Sequence, residues 1–311
     1  MMQVLVSGSS GLIGGLLIPR LRLVGHTILM LHRHRPTQGD QLQWDPLSGK
    51  IDWGIHSATP IDAVIHLAGE NIGAHRWSAA RKLEFRSSRV QVTSALIQTL
   101  LARPQPPSTF IGASAIGIYG EQGEDWIDEQ SLPGKDFLAQ LALDWEMAST
   151  PLTNVGCRVV NARFGMVLSR NGGAFAKMLT PFRFGFGGQL GTGRQWMSWI
   201  SLEDCVSALI YALDESRLSG AINVVSPEPV RNVEFTQTLA RTLHRPNLIR
   251  MPQWVLRIVF GEMADSLLLK SQRVAPTRLL ATGFNFSDPR LEPLMIRLLN
   301  NRSPTPVRNP D

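Results

Sequence analysis

The sequence predicts an α/β fold built on a doubly wound parallel sheet, with a smaller C-terminal α/β unit. Three observations carry that expectation. Short apolar runs alternate with longer segments of helical spacing, the pattern that parallel strands joined by crossover helices require. The first apolar run breaks at once into three spaced glycines, "VLVSGSSGLIG". The chain of 311 residues, 43% hydrophobic and 18% charged, is long enough to bury a full core.

Taken in order, "QVLVSG" is the first strand-like run, "LIGGLLIPRLRLVG" the first helical one and "HTILMLHRHR" the second strand. "DAVIHLAG" is a further strand, "KLEFRSSRVQVTSALIQTLLA" a long helix and "STFIGASA" the next strand. "GCRVVNARFGMVL" and "GAINVVS" extend the strand pattern. Between these two lies "PFRFGFGGQLGTGRQWMSW", whose glycines and aromatics suit a substrate-side loop. The expected division is a sheet-bearing domain over residues 1–168, with returning strands near 196–225, and a substrate-side domain over 169–311. No internal repeat is evident, and the polar, proline-bearing end "NNRSPTPVRNPD" is expected to be disordered from about residue 300.

The 31 Lys and Arg outweigh the 25 Asp and Glu, giving a net charge of +6 and a pI near 9.9. That balance favours anionic partners. Only five residues are lysine, so arginine supplies nearly all of the positive charge and amine chemistry has few places to occur. The two cysteines, Cys157 and Cys205, have neither CxxC nor metal-ligand spacing, which points to a reducing compartment. The first strand begins at Gln3 with no room for a leader, and no uninterrupted apolar stretch reaches a membrane span. A cytoplasmic protein without membrane partners is expected.

Gly8, Gly11 and Gly14 directly follow a strand and open a helix. Such glycines allow a tight turn, close approach of a pyrophosphate to the backbone and close packing of helix on strand. The cradle would comprise Gly8, Ser9, Ser10, Gly11, Leu12, Ile13 and Gly14, with the helix N-terminus facing the phosphates. The next strand ends without the acidic residue that would grip an adenosine ribose; His32, Arg33 and Arg35 stand there instead. Positive charge at that place suits a 2′-phosphate, so the expected cofactor is NADP(H).

With this GxxGxxG spacing the chain resembles the extended short-chain dehydrogenase/reductases. More closely, it resembles their atypical branch of epimerase-family, sugar-nucleotide-epimerase-like proteins with a C-terminal domain of unknown function. The markers are "SGSSGLIG", "AVIHLAGENI" with Arg76 and Trp77, "SAIGIYG", "RFGMVL", "KMLTPFRFGFGGQLGTGRQWMSWISLEDC" and "SQRVAPTRLLATGFNF", spread over roughly residues 2–300. The resemblance implies that Leu67, Ala68 and Gly69 pass beneath the adenosine ribose and the bridge toward nicotinamide. It also implies that Glu84 and Arg89 lie on a helix beside the cofactor, and that Arg183, Arg194, Trp196, Trp199 and Arg231 face a substrate cleft. Taken alone, Trp199 reads as a strand residue and Asn232 as a helix N-cap.

Typical members of that superfamily use a tyrosine and a lysine four residues later, the lysine lowering the tyrosine pKa. The two tyrosines here, Tyr119 and Tyr211, are followed four residues on by Gly123 and Glu215. Counting back from Glu146 puts Leu138 and Ala142 at the places of the pair. Ser114 and Tyr119 are the remaining catalytic candidates, although alignment on Tyr119 sets Ala115, not Ser114, at the usual Ser/Thr place.

The seven histidines form no HxxxH pattern, so no metal is expected, and "GASAIG" is not a GxSxG elbow. Three readings follow. The first is an NADP(H)-dependent oxidoreductase or epimerase acting, with altered acid/base groups, on a small anionic substrate that could resemble a nucleotide sugar. The second is an NADP(H)-binding sensor or scaffold with little turnover. The third, a nucleic-acid binder, finds no RGG tract, basic tail or aromatic–basic interleaving. A homodimer is left open.

Overall fold

A computed structural model describes residues 1–300; the tail expected to be disordered lies outside the described residues. Eight strands form the main sheet: β1 (Gln3–Ser7), β2 (Thr27–His32), β3 (Gln41–Trp44), β4 (Ile51–Asp52), β5 (Ala63–His66), β6 (Thr109–Ala115), β7 (Arg158–Phe164) and β8 (Gly220–Val224). Their spatial order is β8-β7-β6-β5-β1-β2-β3-β4, and every pairing is parallel except β3 with β4. The doubly wound expectation therefore holds, with an antiparallel edge at β3–β4.

Strand side chains alternate between the two faces of the sheet. Val4, Val6, Ile28, Met30, Ile65 and Ile111 pack on one face. Leu17 and Leu21 of α1 (Leu12–Leu23) and Cys205 and Leu209 of a later helix (Leu202–Asp214) cover them. Leu5, Leu29, Leu31, Val64 and Phe110 face the other way, against Val92, Leu96 and Leu100.

The long helix after β5 is one rod with a defect: α2 (Ala79–Arg86) runs through a π-turn at Ser87–Gln91 into α3 (Val92–Leu101). Next along the chain comes α4 (Phe137–Met147), capped by Asp136, whose Oδ1 accepts from Leu138 N and Ala139 N.

A second apolar core joins α5 (Gly173–Arg183), the strand Trp199–Ser201, the helix Asn232–Thr242 and the helix Leu291–Asn300 through Phe175, Phe182, Trp199, Phe235, Leu239 and Leu294. The segment expected as a loop is thus more regular than its glycines suggest. Its first three residues, Pro181, Phe182 and Arg183, form the last turn of α5, and it then forms short strands at Gly188–Leu190, Trp196–Met197 and Trp199–Ser201.

Candidate functional site

The chain starts in the middle of the sheet. From β1 it winds outward to β4, then returns on the other side of β1 with β5. This reversal opens a crevice at the carboxyl ends of β1 and β5, the place where doubly wound sheets take ligands.

The three glycines line that crevice for steric reasons. Gly8 has φ +71°, and a Cβ there would stand 2.8 Å from the Leu67 carbonyl carbon and 2.9 Å from Ala68 N. At Gly14 a Cβ would meet Gly8 O at 2.3 Å and Ser9 Cα at 2.7 Å. The turn is closed by Gly11 N donating to Gly8 O over 3.0 Å. No side chain caps α1, so the N–H groups of its first turn open onto the crevice. Leu67, Ala68 and Gly69 follow β5 on the opposite wall.

Ser9 Oγ lies 3.3 Å from His32 Nε2, which joins the glycine turn to the end of β2. Beyond it Arg33 and Arg35 are exposed. The structure therefore brings the glycine turn, the β5 end and the cationic end of β2 together.

It does not bring Glu84 and Arg89 together. Glu84 is exposed and paired with Arg81. Past the π-turn, Arg89 is buried; its guanidinium carbon stands 5.0 Å from the Trp145 ring centroid and its Nη2 donates to Glu70 O over 2.8 Å. Burial pushes the Arg89 pKa down to about 10. Arg89 thus braces the chain that leaves β5.

Directly behind the crevice, His66 links two walls. Its Nδ1 lies 2.6 Å from Ser7 Oγ and its Nε2 2.9 Å from Thr93 Oγ1, which also accepts from Trp145 Nε1 over 3.0 Å. Complete burial holds the imidazole neutral, with a pKa near 4 against an ordinary 6.5. The unfolded chain binds the proton first as pH falls, so His66 costs no stability above about pH 6.5 and a growing amount down to about pH 4. The loss is expected to approach about 3 kcal/mol at the acid end of this window. Urea midpoints from pH 7 to 4.5 check this; in His66→Asn the slope over that range should flatten.

The two catalytic candidates are held in a buried network that sequence reasoning did not anticipate. Ser114 Oγ donates to Glu146 Oε1 over 2.6 Å. Arg163 of β7 grips Glu146 through Nε and Nη2, each at 2.8 Å. Arg163 Nη1 donates to the Tyr119 hydroxyl over 2.9 Å, and that hydroxyl donates to Asn223 Oδ1 over 2.6 Å. Tyr119 has no exposed surface, and its burial raises the pKa to about 12.

Both catalytic candidates are thus engaged: the Tyr119 hydroxyl is occupied on both sides, and the Ser114 hydroxyl is committed to Glu146. Leu138 and Ala142, at the places of the usual tyrosine and lysine, are buried; Leu138 packs with Phe85 and Leu141.

Of the residues expected to face a substrate cleft, Trp199 is a buried strand residue and Arg183 and Arg194 are exposed. Asn232 caps no helix, because its Oδ1 accepts from Leu190 N across the turn. Arg231 and Trp196 are engaged with a residue from the loop after β6: Arg231 Nη1 and Nη2 donate to Glu124 at 3.0 and 2.7 Å, and Trp196 Nε1 donates to the same carboxylate at 2.9 Å. These bonds, Arg231 first, lower the Glu124 pKa. Among the described residues no group of three His, Cys, Asp or Glu side chains is arranged to hold a metal. No helix among them is long and apolar enough to cross a membrane.

Comparison with known proteins gives two family matches: the NAD dependent epimerase/dehydratase family over residues 4–225, and a domain of unknown function, DUF1731, over residues 251–295. An epimerase family protein of Mycobacterium bovis, Mb2239, is 44% identical over 283 residues, spanning 91% of this chain and 93% of its own. The human epimerase family protein SDR39U1 is 37% identical over 293 residues, 93% of this chain and 97% of its own. The crystal structure of human SDR39U1 (isoform 2) with NADPH superposes with a TM-score of 0.87 at 34% identity, covering 96% of this chain and 100% of that one.

Proposed function

The chain belongs to the NAD-dependent epimerase/dehydratase family, and on that premise we propose that it binds NADP(H) and transfers hydride to or from a small anionic substrate, as an oxidoreductase or epimerase. The single observation that carries the reading is the cradle at the switch of strand order, where a Cβ on Gly8 or Gly14 would strike backbone at 2.8 Å or less. Only glycines let the turn pack this closely on β5 and α1, the arrangement in which backbone N–H groups can be approached by a pyrophosphate. When bound, NADP(H) supplies a nicotinamide that accepts or donates hydride. The residues present fit it: the α1 N-terminus offers N–H groups to the phosphates, Arg33 offers charge to the 2′-phosphate, and His32 stands beside it, joined to the glycine turn through Ser9. The cofactor bound by the human relative supports the same choice.

Because Leu138 and Ala142 leave no tyrosine–lysine pair, proton transfer must use other groups. The same absence favours a second reading, a cofactor-binding sensor or scaffold with little turnover. Incubating the NADPH complex with a broad metabolite library separates the two: oxidation of NADPH by any member supports the first, and binding without oxidation the second. Arg33→Glu tests the cofactor choice. It is expected to weaken NADPH binding by at least about tenfold, the scale of one lost charge-assisted contact, and to leave NADH binding nearly unchanged. Equal NADPH affinity in the variant would remove Arg33 from the site.

A further inference from the structure

The marker "SQRVAP" places Arg273 in a setting that the cofactor reading leaves unexplained. Its guanidinium carbon lies 4.1 Å from the Trp126 ring centroid and 4.3 Å from that of Trp196. Its Nε is shut away from solvent and has no hydrogen-bond partner. Among the described residues no hydrogen bond or ion pair engages the remainder of this guanidinium. A cation held against two indoles keeps its planar orientation while its fork of donors stays uncommitted.

A second cation stands beside it. Arg231 lies 4.5 Å from the same Trp196 centroid and is held by Glu124, which also accepts from Trp196 Nε1. Two guanidinium groups and one carboxylate thus surround a single indole, and positive charge is in surplus. The parts come from widely separated stretches of chain, Glu124 and Trp126 after β6, Trp196 and Arg231 beside the second core, and Arg273 in the C-terminal region. Trp126 is exposed, so the cluster opens to solvent.

We propose that Arg273, with Arg231, is an oxyanion-binding site for the carboxylate or phosphate of a small-molecule ligand, and that Glu124 is the internal anion the ligand displaces. The geometry supplies a rigid donor fork, aromatic faces for the rest of the ligand and a resident carboxylate marking where negative charge is favourable. The inference rests on the anionic-substrate reading and locates the group that recognises such a substrate.

The experiment uses the full chain saturated with NADPH, so that the glycine cradle is filled. Inorganic pyrophosphate and citrate are titrated at constant ionic strength and followed by tryptophan fluorescence and calorimetry. Saturable binding of at least one is expected, and the preferred probe tells phosphate from carboxylate recognition. Arg273→Gln should weaken it by about tenfold or more, the effect of losing a charged fork. Glu124→Gln should strengthen it, because the competing carboxylate is gone. NADPH affinity should be equal in the wild type and both variants.

The proposal is overturned if neither anion saturates the wild type, or if Arg273→Gln binds as the wild type does, or if Glu124→Gln weakens binding. Failure of NADPH to bind the wild type is a separate result that strikes the cofactor reading; the citrate titration then proceeds on the free protein and judges Arg273 on its own.

Discussion

Gly14→Val is expected to weaken NADPH binding by about a hundredfold or more. Any Cβ at this position would lie 2.3 Å from Gly8 O and 2.7 Å from Ser9 Cα, and both are backbone atoms that cannot rotate away. The turn must open, and the N–H groups of Ser9 to Ile13 then lose their common focus. Losing two charge-assisted hydrogen bonds is worth about 3 kcal/mol or more, about a hundredfold in affinity. Overpacking adds a stability loss of about 1–3 kcal/mol. Gly15→Ala, one residue on, is the control. Nothing stands within 4 Å of its Cβ, so helix propensity should make it more stable by about 0.5–1 kcal/mol with NADPH binding intact. Calorimetric titration with melting curves for the two variants checks both halves; similar NADPH affinities would remove the glycine turn from the site.

Arg163→Met is expected to give the largest stability loss of any single change outside the apolar cores. The Arg163 and Glu146 side chains are each 10% exposed, so the methionine variant strands a carboxylate that keeps only Ser114 as a partner. It also strips one hydrogen bond from the buried Tyr119 hydroxyl. Breaking a buried pair from one side typically costs about 3–5 kcal/mol, whereas replacing both partners by apolar groups costs far less. The double variant Arg163→Met with Glu146→Leu should therefore recover most of the loss. Urea unfolding of the three proteins provides the measurement, and a single-variant cost below about 1 kcal/mol would mean that the pair is solvated.

Much of the fold was legible because its signals are local. The run from Val4 to Gly14 declares strand, turn and helix within a dozen residues, and the bare cationic end of "TILMLHRHR" can be read without knowing what lies opposite. The absence of a tyrosine–lysine pair was legible for the same reason.

What the sequence hid is long-range. Ser114, Tyr119, Glu146, Arg163 and Asn223 come from five separate elements, and no periodicity links them. The sequence therefore left Tyr119 as a catalytic candidate near a strand end and gave no sign of the hydrogen-bonded network that holds it. The burial of Arg89 against the β5 end was hidden by a local feature of another kind. The π-turn at Ser87–Gln91 resets the helix phase, so helical spacing alone does not show that Arg89 turns inward while Glu84 stays exposed. That Arg231 and Trp196 share the Glu124 carboxylate was equally hidden, because Glu124 lies 107 and 72 residues away in the chain.

The central claim is that the crevice between β1 and β5 selects the phosphorylated dinucleotide. Parallel titrations of the purified wild-type chain with NADPH and NADH, at about physiological ionic strength, measure that selection directly. The account requires saturable NADPH binding at least about tenfold tighter than NADH, one charge-assisted phosphate contact or more. Equal affinities, or no binding of either, would contradict it.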